Sequence, residues 1–241
     1  MRISIVNPNS TRSMTDTVAK AARQAAARGT EILAYQNDAG PLSIEGYVDG
    51  AHAVPGLLHA LAVAESDGAE AHIIACFDDT GLDAARSMLT GPVIGIGEAG
   101  ARMASLVARR FSVVTTLSVS VPILEDNLAR AGLAGNCASV RASEIPVLAL
   151  DTDPEAADAK IGAEIERAIT QDRAEAIVLG CAGMADMAAD LSARFGVPVI
   201  DGVASAVKLM EGALTMGLKT SKRGGYAAPR VKQDARLAVP A

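Results

Sequence analysis

Two stretches of this chain repeat one another about half its length apart, and that repeat narrows the folds open to it. Ala69-Glu70-Ala71-His72-Ile73-Ile74-Ala75-Cys76 lines up with Ala174-Glu175-Ala176-Ile177-Val178-Leu179-Gly180-Cys181, each an apolar run that closes on a cysteine. Further on, PVIGIGEAGARMA from Pro92 matches PVIDGVASAVKLM from Pro198, and the early ISIVNPNST sets against FSVVTTLSVS from Phe111. Three segments agreeing in order favour duplication over chance similarity between two Ala-rich halves. The period is far longer than those that mark solenoids, so it indicates two similar lobes.

Within each half, short apolar runs alternate with helical patterns. The runs at residues 3–6, 72–75, 92–94, 111–115, 176–179 and 198–200 read as strands, and residues 12–27 carry small apolar side chains at helical spacing. Such alternation predicts an α/β fold of two pseudo-symmetric lobes, each a mainly parallel sheet flanked by helices, with the site in the cleft between them. The repeat places lobe 1 at residues 1–97 plus about 206–241, carrying Cys76, and lobe 2 at residues 98–205, carrying Cys181.

Composition removes several functional classes. With 241 residues, half of them hydrophobic, the chain has ample core and is not disordered. Only 2% is aromatic, and the net charge is −6 with no basic run before residues 219–223, so neither nucleic acid nor an anionic membrane is an expected partner. The apolar stretch before Asn7 is too short for a signal peptide, and no run approaches the ~18 residues of a membrane span, which points to the cytoplasm. Three cysteines, Cys76, Cys137 and Cys181, make an odd number without a C-x-x-C pair, which argues for thiol chemistry over disulfides or zinc. His52, His59 and His72 show no ligand spacing, and no metal or other cofactor is expected.

In an open parallel sheet, ligands bind beyond the carboxyl ends of the strands, where both repeat cysteines fall. A lone buried cysteine is usually a small hydrophobe; two in matching positions suggest a shared pocket. Cys181 precedes a helical pattern, where a terminus lowers a thiol pKa, whereas Cys76 is followed by Asp78 and Asp79, which oppose ionisation unless one of them is a helix N-cap facing away. A thiol of pKa ~8.5 lacks about 2 kcal/mol of being ionised at neutral pH, and a helix terminus supplies up to ~1–2 kcal/mol, enough for one thiolate but not two in contact. One thiolate facing one thiol is the arrangement that two-base proton exchange at a single carbon requires. Cys137, in a Gly-Leu-Ala-Gly-Asn loop, reads as structural.

Weaker features surround these. Gly95-Ile96-Gly97-Glu98-Ala99-Gly100 fits G-x-G-x-x-G, yet lacks the acidic residue some 20 positions on and is rejected as a dinucleotide site. Asn7-Pro8-Asn9-Ser10-Thr11 reads first as an N-cap; on the same rim, Asn9 and Ser10, with Thr115 and Thr116 in the second half, are placed to hold polar groups of a ligand. Residues 40–46, bracketed by glycines, read as a lid that would bring Pro41 and Ile44 to the ligand, or else as an ordinary loop. Residues 219–241 read as a loose, dispensable tail.

NPNS with Met14-Thr15, the Gly-Pro-Leu-Ser-Ile-Glu-Gly loop, CFDDTGLDAAR, PVIGIGEA, FSVVTT and LGCAGM together resemble the hydantoin racemase branch of the aspartate/glutamate racemase superfamily, over nearly the whole chain to about Tyr226. The resemblance implies a cofactor-independent 1,1-proton transfer with Cys76 and Cys181 as paired acid and base, and a homo-oligomer acting on a small cyclic ureide. Glutamate and aspartate racemases tend to carry Asn-Thr after the first cysteine and Thr-His after the second; here stand Phe77-Asp78 and Ala182-Gly183, which disfavours a free amino acid. Phe77 would lie against a flat ring, and the backbone N–H groups at Ala182 and Gly183 would face a carbonyl oxygen on which enolate charge develops. A 5-monosubstituted hydantoin fits, with allantoin as the close alternative. An amino-acid racemase, a single-cysteine decarboxylase and a non-catalytic two-lobed sensor are the remaining readings.

Overall fold

A computed structural model describes residues 1–230. The first half runs β1 (Arg2–Asn7), α1 (Arg12–Ala25), β2 (Glu31–Gln36), α2 (Tyr47–Ser66), β3 (Ala71–Ile74), α3 (Leu82–Met88), β4 (Val93–Gly95) and α4 (Ile96–Val107). The second runs β5 (Phe111–Thr115), α5 (Val121–Arg130), β6 (Cys137–Ala142), the short α6 (Ala149–Thr152), α7 (Pro154–Thr170), β7 (Ala176–Gly180), α8 (Ala188–Phe195), β8 (Val199–Ile200) and α9 (Gly202–Thr215). The strands form two four-stranded sheets ordered β2-β1-β3-β4 and β6-β5-β7-β8, with every pairing parallel. The second order repeats the first, and the expected pseudo-symmetric α/β architecture is what the chain adopts.

The central strands β3, β5 and β7 are buried at every position, as strands covered on both faces must be, and their mostly apolar runs made them visible in the sequence. Of the four outer strands, β4 and β8 fall within the sequence-derived set, whereas β2 and β6 lie outside it. Their residues, Glu-Ile-Leu-Ala-Tyr-Gln and Cys-Ala-Ser-Val-Arg-Ala, carry polar side chains on a half-covered edge. Cys137 consequently opens β6 instead of sitting in a loop.

Helices α4 and α9 pack against each other between the sheets, with Ile3, Ile5, Phe111, Val113 and Val178 sharing their core. Small residues set that contact. A Cβ on Gly100 would sit 2.7 Å from Val178 Cγ1, and one on Gly202 would sit 2.4 Å from the Ile96 carbonyl oxygen. Residues 219–226 are not a loose tail. The Thr220 N–H donates to the Thr90 carbonyl at 3.1 Å, Lys222 Nζ donates to the Arg86 and Ser87 carbonyls at 2.7 and 3.0 Å, and the Tyr226 hydroxyl donates to Asp83 at 3.1 Å. The rest of the expected tail, residues 231–241, lies outside the described residues.

Candidate active site

Cys76 follows β3 by one residue, and Cys181 follows β7 directly, so equivalent strand ends of the two sheets carry one thiol each. Both line one cleft, together with Asn9, Met14, Ile44, Ala75, Phe77, Asp78, Thr115, Thr116, Ser120, Val147, Gly180 and Ala182.

The loop bearing Cys76 is fastened at both ends. Asp79, held at φ 50°, turns its carboxylate back to accept the Gly97 N–H at 2.9 Å and the Glu98 N–H at 2.8 Å. It therefore caps α4 and not the helix that follows it. Gly95 and Gly97 are glycines for this reason, since a Cβ on Gly95 would meet the Asp79 carboxylate and one on Gly97 would lie 2.3 Å from the Phe77 carbonyl. The G-x-G-x-x-G segment thus receives a protein carboxylate where a dinucleotide fold would place a phosphate. Burial and the nearby Glu98 raise the Asp79 pKa to about 8, opposed by the two N–H bonds. On the other side, the Asp78 carbonyl accepts from Asn127 Nδ2 at 2.8 Å and its carboxylate accepts from the Ser120 hydroxyl at 3.3 Å, which ties the loop to the second half.

Cys76 is desolvated by the protein packed around it, which pushes its thiol well above the ordinary range, and Asp78 adds to the rise. The Thr80 hydroxyl, 3.5 Å from the sulfur, works in the opposite direction. Burial likewise raises Asp78, to about 6. Cys181 stands at the N-cap of a 3₁₀ turn, Ala182–Met187, that leads into α8. A side chain at Gly183 would come within 3.8 Å of the Cys181 sulfur and 2.9 Å of Leu150.

The remaining expected site residues divide. Asn9, Ile44, Thr115, Thr116, Phe77 and Ala182 line the cleft; Ser10, Pro41 and Gly183 do not. Ser10 donates both its N–H and its hydroxyl to the Pro41 carbonyl, at 2.9 and 3.1 Å, so this pair pins the 40–46 loop to the rim. Phe77 touches the cleft, but its ring edge lies beside Gly100 in the shared core. The Thr115 hydroxyl is spent on the Gly180 carbonyl at 3.0 Å. Asn7-Pro8-Asn9-Ser10-Thr11 does not form a simple N-cap. Thr11 makes no capping bond, and the Asn9 amide oxygen accepts the Thr11 N–H at 3.0 Å and the Asn7 amide at 2.8 Å. Ile44 is buried, and its neighbour Glu45 accepts the Val147 N–H at 3.0 Å, so the 40–46 loop crosses from one half to the other.

Met14, Ala75, Asp78, Ser120, Val147 and Gly180 were missed as lining residues. Ser120 lies within the matched FSVVTTLSVS segment and was within reach of the repeat; Val147 sits in an irregular stretch without periodic signal. His72 is a packed side chain, with Nδ1 2.8 Å from the Ser4 hydroxyl. Among the described residues no three His, Cys, Asp or Glu gather as a metal site, and no helix is long and apolar enough to cross a membrane. A larger hollow of about 1200 Å³ flanks the far side of the Cys76 loop, but its arginines Arg86, Arg102 and Arg130 are paired to Glu98 and Asp83 and it holds no thiol.

Two α/β halves that present paired cysteines to a common cleft define a class, and comparison with known proteins gives the family. Residues 3–210 match the Asp/Glu/Hydantoin racemase family, and the chain belongs to it. It is 48% identical over 235 residues to a hydantoin racemase of Rhizobium meliloti, covering 98% of each chain. Among solved structures, it is similar to an allantoin racemase from Klebsiella pneumoniae, with 46% identity, TM-score 0.95 and coverage of 98% of this chain and 96% of that one. An allantoin racemase from Pseudomonas fluorescens superposes with TM-score 0.94 at 42% identity, over 97% of this chain and 99% of that one.

Proposed function

We propose that this protein is a cofactor-independent racemase that inverts the C5 stereocentre of 5-monosubstituted hydantoins by proton transfer between Cys76 and Cys181. The observation that carries this reading is the pair of thiols, one from each pseudo-symmetric half, on one small cleft. The relatives' names point to cyclic ureides, hydantoin in one and allantoin in two others. Lobe 1 comprises residues 1–97 and about 206–241, lobe 2 residues 98–205, and the enzyme works as a cytoplasmic homo-oligomer.

Burial holds Cys76 in the thiol form, so Cys76 is the resting acid and Cys181 the opening base. The Cys181 thiolate takes the C5 proton, and the C–H electron pair moves onto the adjacent ring carbonyl as an enolate. The backbone N–H of Ala182, at the start of the turn after Cys181, stabilises that oxygen. The Cys76 thiol then returns a proton to the opposite face. With the roles exchanged, the same steps carry the other enantiomer back. Asn9 and Thr116 hold polar groups of the ring, and Ile44 covers it.

Optical rotation of enantiopure 5-substituted hydantoins and of allantoin, followed with the purified protein, tests the substrate class. Decay of rotation without loss of substrate is the expected result; a static rotation with every ring substrate would favour the sensor reading. The relative rates on hydantoins and allantoin settle which of the two it serves.

A further inference from the structure

Among the described residues, Asp78 supplies the one charged side chain that lines the cleft. Its carboxylate Oδ2 accepts the Ser120 hydroxyl at 3.3 Å, while Oδ1 takes no hydrogen bond among the described residues. Burial raises its pKa and the Ser120 bond opposes the rise. A carboxylate oxygen of a half-buried side chain with vacant lone pairs favours a donor, and a group bound in the cleft is placed to supply one.

A cyclic ureide carries two ring N–H donors, one of them bonded directly to the reacting carbon. Asp78 lies two residues beyond Cys76 on the same loop, and both side chains face the same cleft. The ligand group nearest to both is the N–H beside that carbon. Resting on the racemase reading above, we propose that Asp78 is the specificity-determining residue of this cleft: it accepts the N1–H of the substrate ring and repels any ligand that carries a carboxylate. The same charge that fits a neutral ring excludes a free amino acid and the ring-opened N-carbamoyl amino acid, because an unpaired anion in a poorly solvated cleft strongly opposes a second one. The departure from Asn-Thr to Phe77-Asp78 then has a direct chemical meaning.

The test compares the wild type with Asp78→Ala and Asp78→Asn on a 5-substituted hydantoin and on its N1-methyl and N3-methyl derivatives, reading kcat/KM for racemisation. Absence of turnover by the wild type on the parent hydantoin and on allantoin alike would defeat the racemase reading and, with it, this proposal. Given turnover, N1-methylation and Asp78→Ala are each expected to cost roughly 10- to 100-fold, the loss for a hydrogen bond to a charged group. Their combination should cost no more than either alone. Independent, multiplying losses, or an Asp78→Ala enzyme with unchanged kcat/KM, overturn the assignment. Should the alanine variant not fold, inhibition of the near-isosteric Asp78→Asn by the N-carbamoyl amino acid decides. An inhibition constant at least about tenfold lower than that of the wild type supports the charge filter, and an unchanged one overturns it.

Discussion

Glu65 holds two elements together through one carboxylate. Its Oε1 accepts the Thr90 and Gly91 N–H groups at 2.7 and 3.1 Å ahead of β4 and lies 3.8 Å from Nε2 of the buried His72 on β3. These partners, the nearby His72 ring foremost, lower the Glu65 pKa from 4.5 to about 2. A carboxylate whose folded value is depressed stabilises the protein above its unfolded value and loses that contribution as pH falls toward the folded one. The urea midpoint of the wild type is therefore expected to drop as pH falls from 4.5 towards 2, with a shallower drop for Glu65→Gln; identical acid slopes would contradict this role. Residues of this kind show where sequence reasoning stops. The positions of Cys76 and Cys181 were legible because each ends an apolar strand in a repeat. Asp79 offered the chemistry of a cap, but which helix it caps depends on a loop folding back across Gly95 and Gly97, and spacing does not encode that. Likewise, Phe77 was an apolar residue in the right place, and only packing against α4 shows that its ring serves the core.

At the scale of elements, α4 crosses between the sheets on glycines that admit no side chain. Gly97→Ala and Gly100→Ala each force a methyl to within 3 Å of existing atoms, the Phe77 carbonyl in one case and Val178 in the other. Overpacking of this kind costs typically 1–3 kcal/mol. Gly135→Ala, with nothing within 4 Å of the added carbon, serves as the control and should leave the urea midpoint nearly unchanged. Equal midpoints for all three variants would mean that the contact yields easily. The central strands could be read from sequence because burial on both faces fills them mostly with apolar residues, the polar Ser4, His72, Ser112 and Thr115 all finding hydrogen bonds inside. The edge strands β2 and β6 could not, since their alternation is diluted by Tyr35, Gln36, Ser139 and Arg141. Arg141 illustrates the cause: it points to Asp172 and Glu164 in a polar network at the sheet margin, a sound use of an edge but a poor strand signal.

Across the whole molecule, the repeated sheet order brings two equivalent strand ends to one cleft, and α4 packs on α9 where the halves meet. The repeat made this arrangement legible before any coordinates. The cross-braces, Glu45 to Val147 and Asp78 to Ser120 and Asn127, were not, because each joins a loop of one half to a loop or helix of the other over a long sequence separation. A cleft of this build makes a chemical prediction. Alkylating reagents at neutral pH should inactivate the enzyme by modifying Cys181 before the strongly desolvated Cys76, with protection by bound hydantoin, as peptide mass mapping would show. Cys137→Ser should behave as the wild type in that experiment, since Cys137 lies on the edge strand β6 and outside the cleft. The central claim, that one thiol works from each face of a single carbon, is tested most directly by following C5 deuterium incorporation into each pure hydantoin enantiomer in D2O with Cys76→Ser and Cys181→Ser. The account predicts that neither variant inverts the substrate, and that any residual exchange is confined to opposite enantiomers in the two variants. Inversion at the wild-type rate by either variant would contradict it.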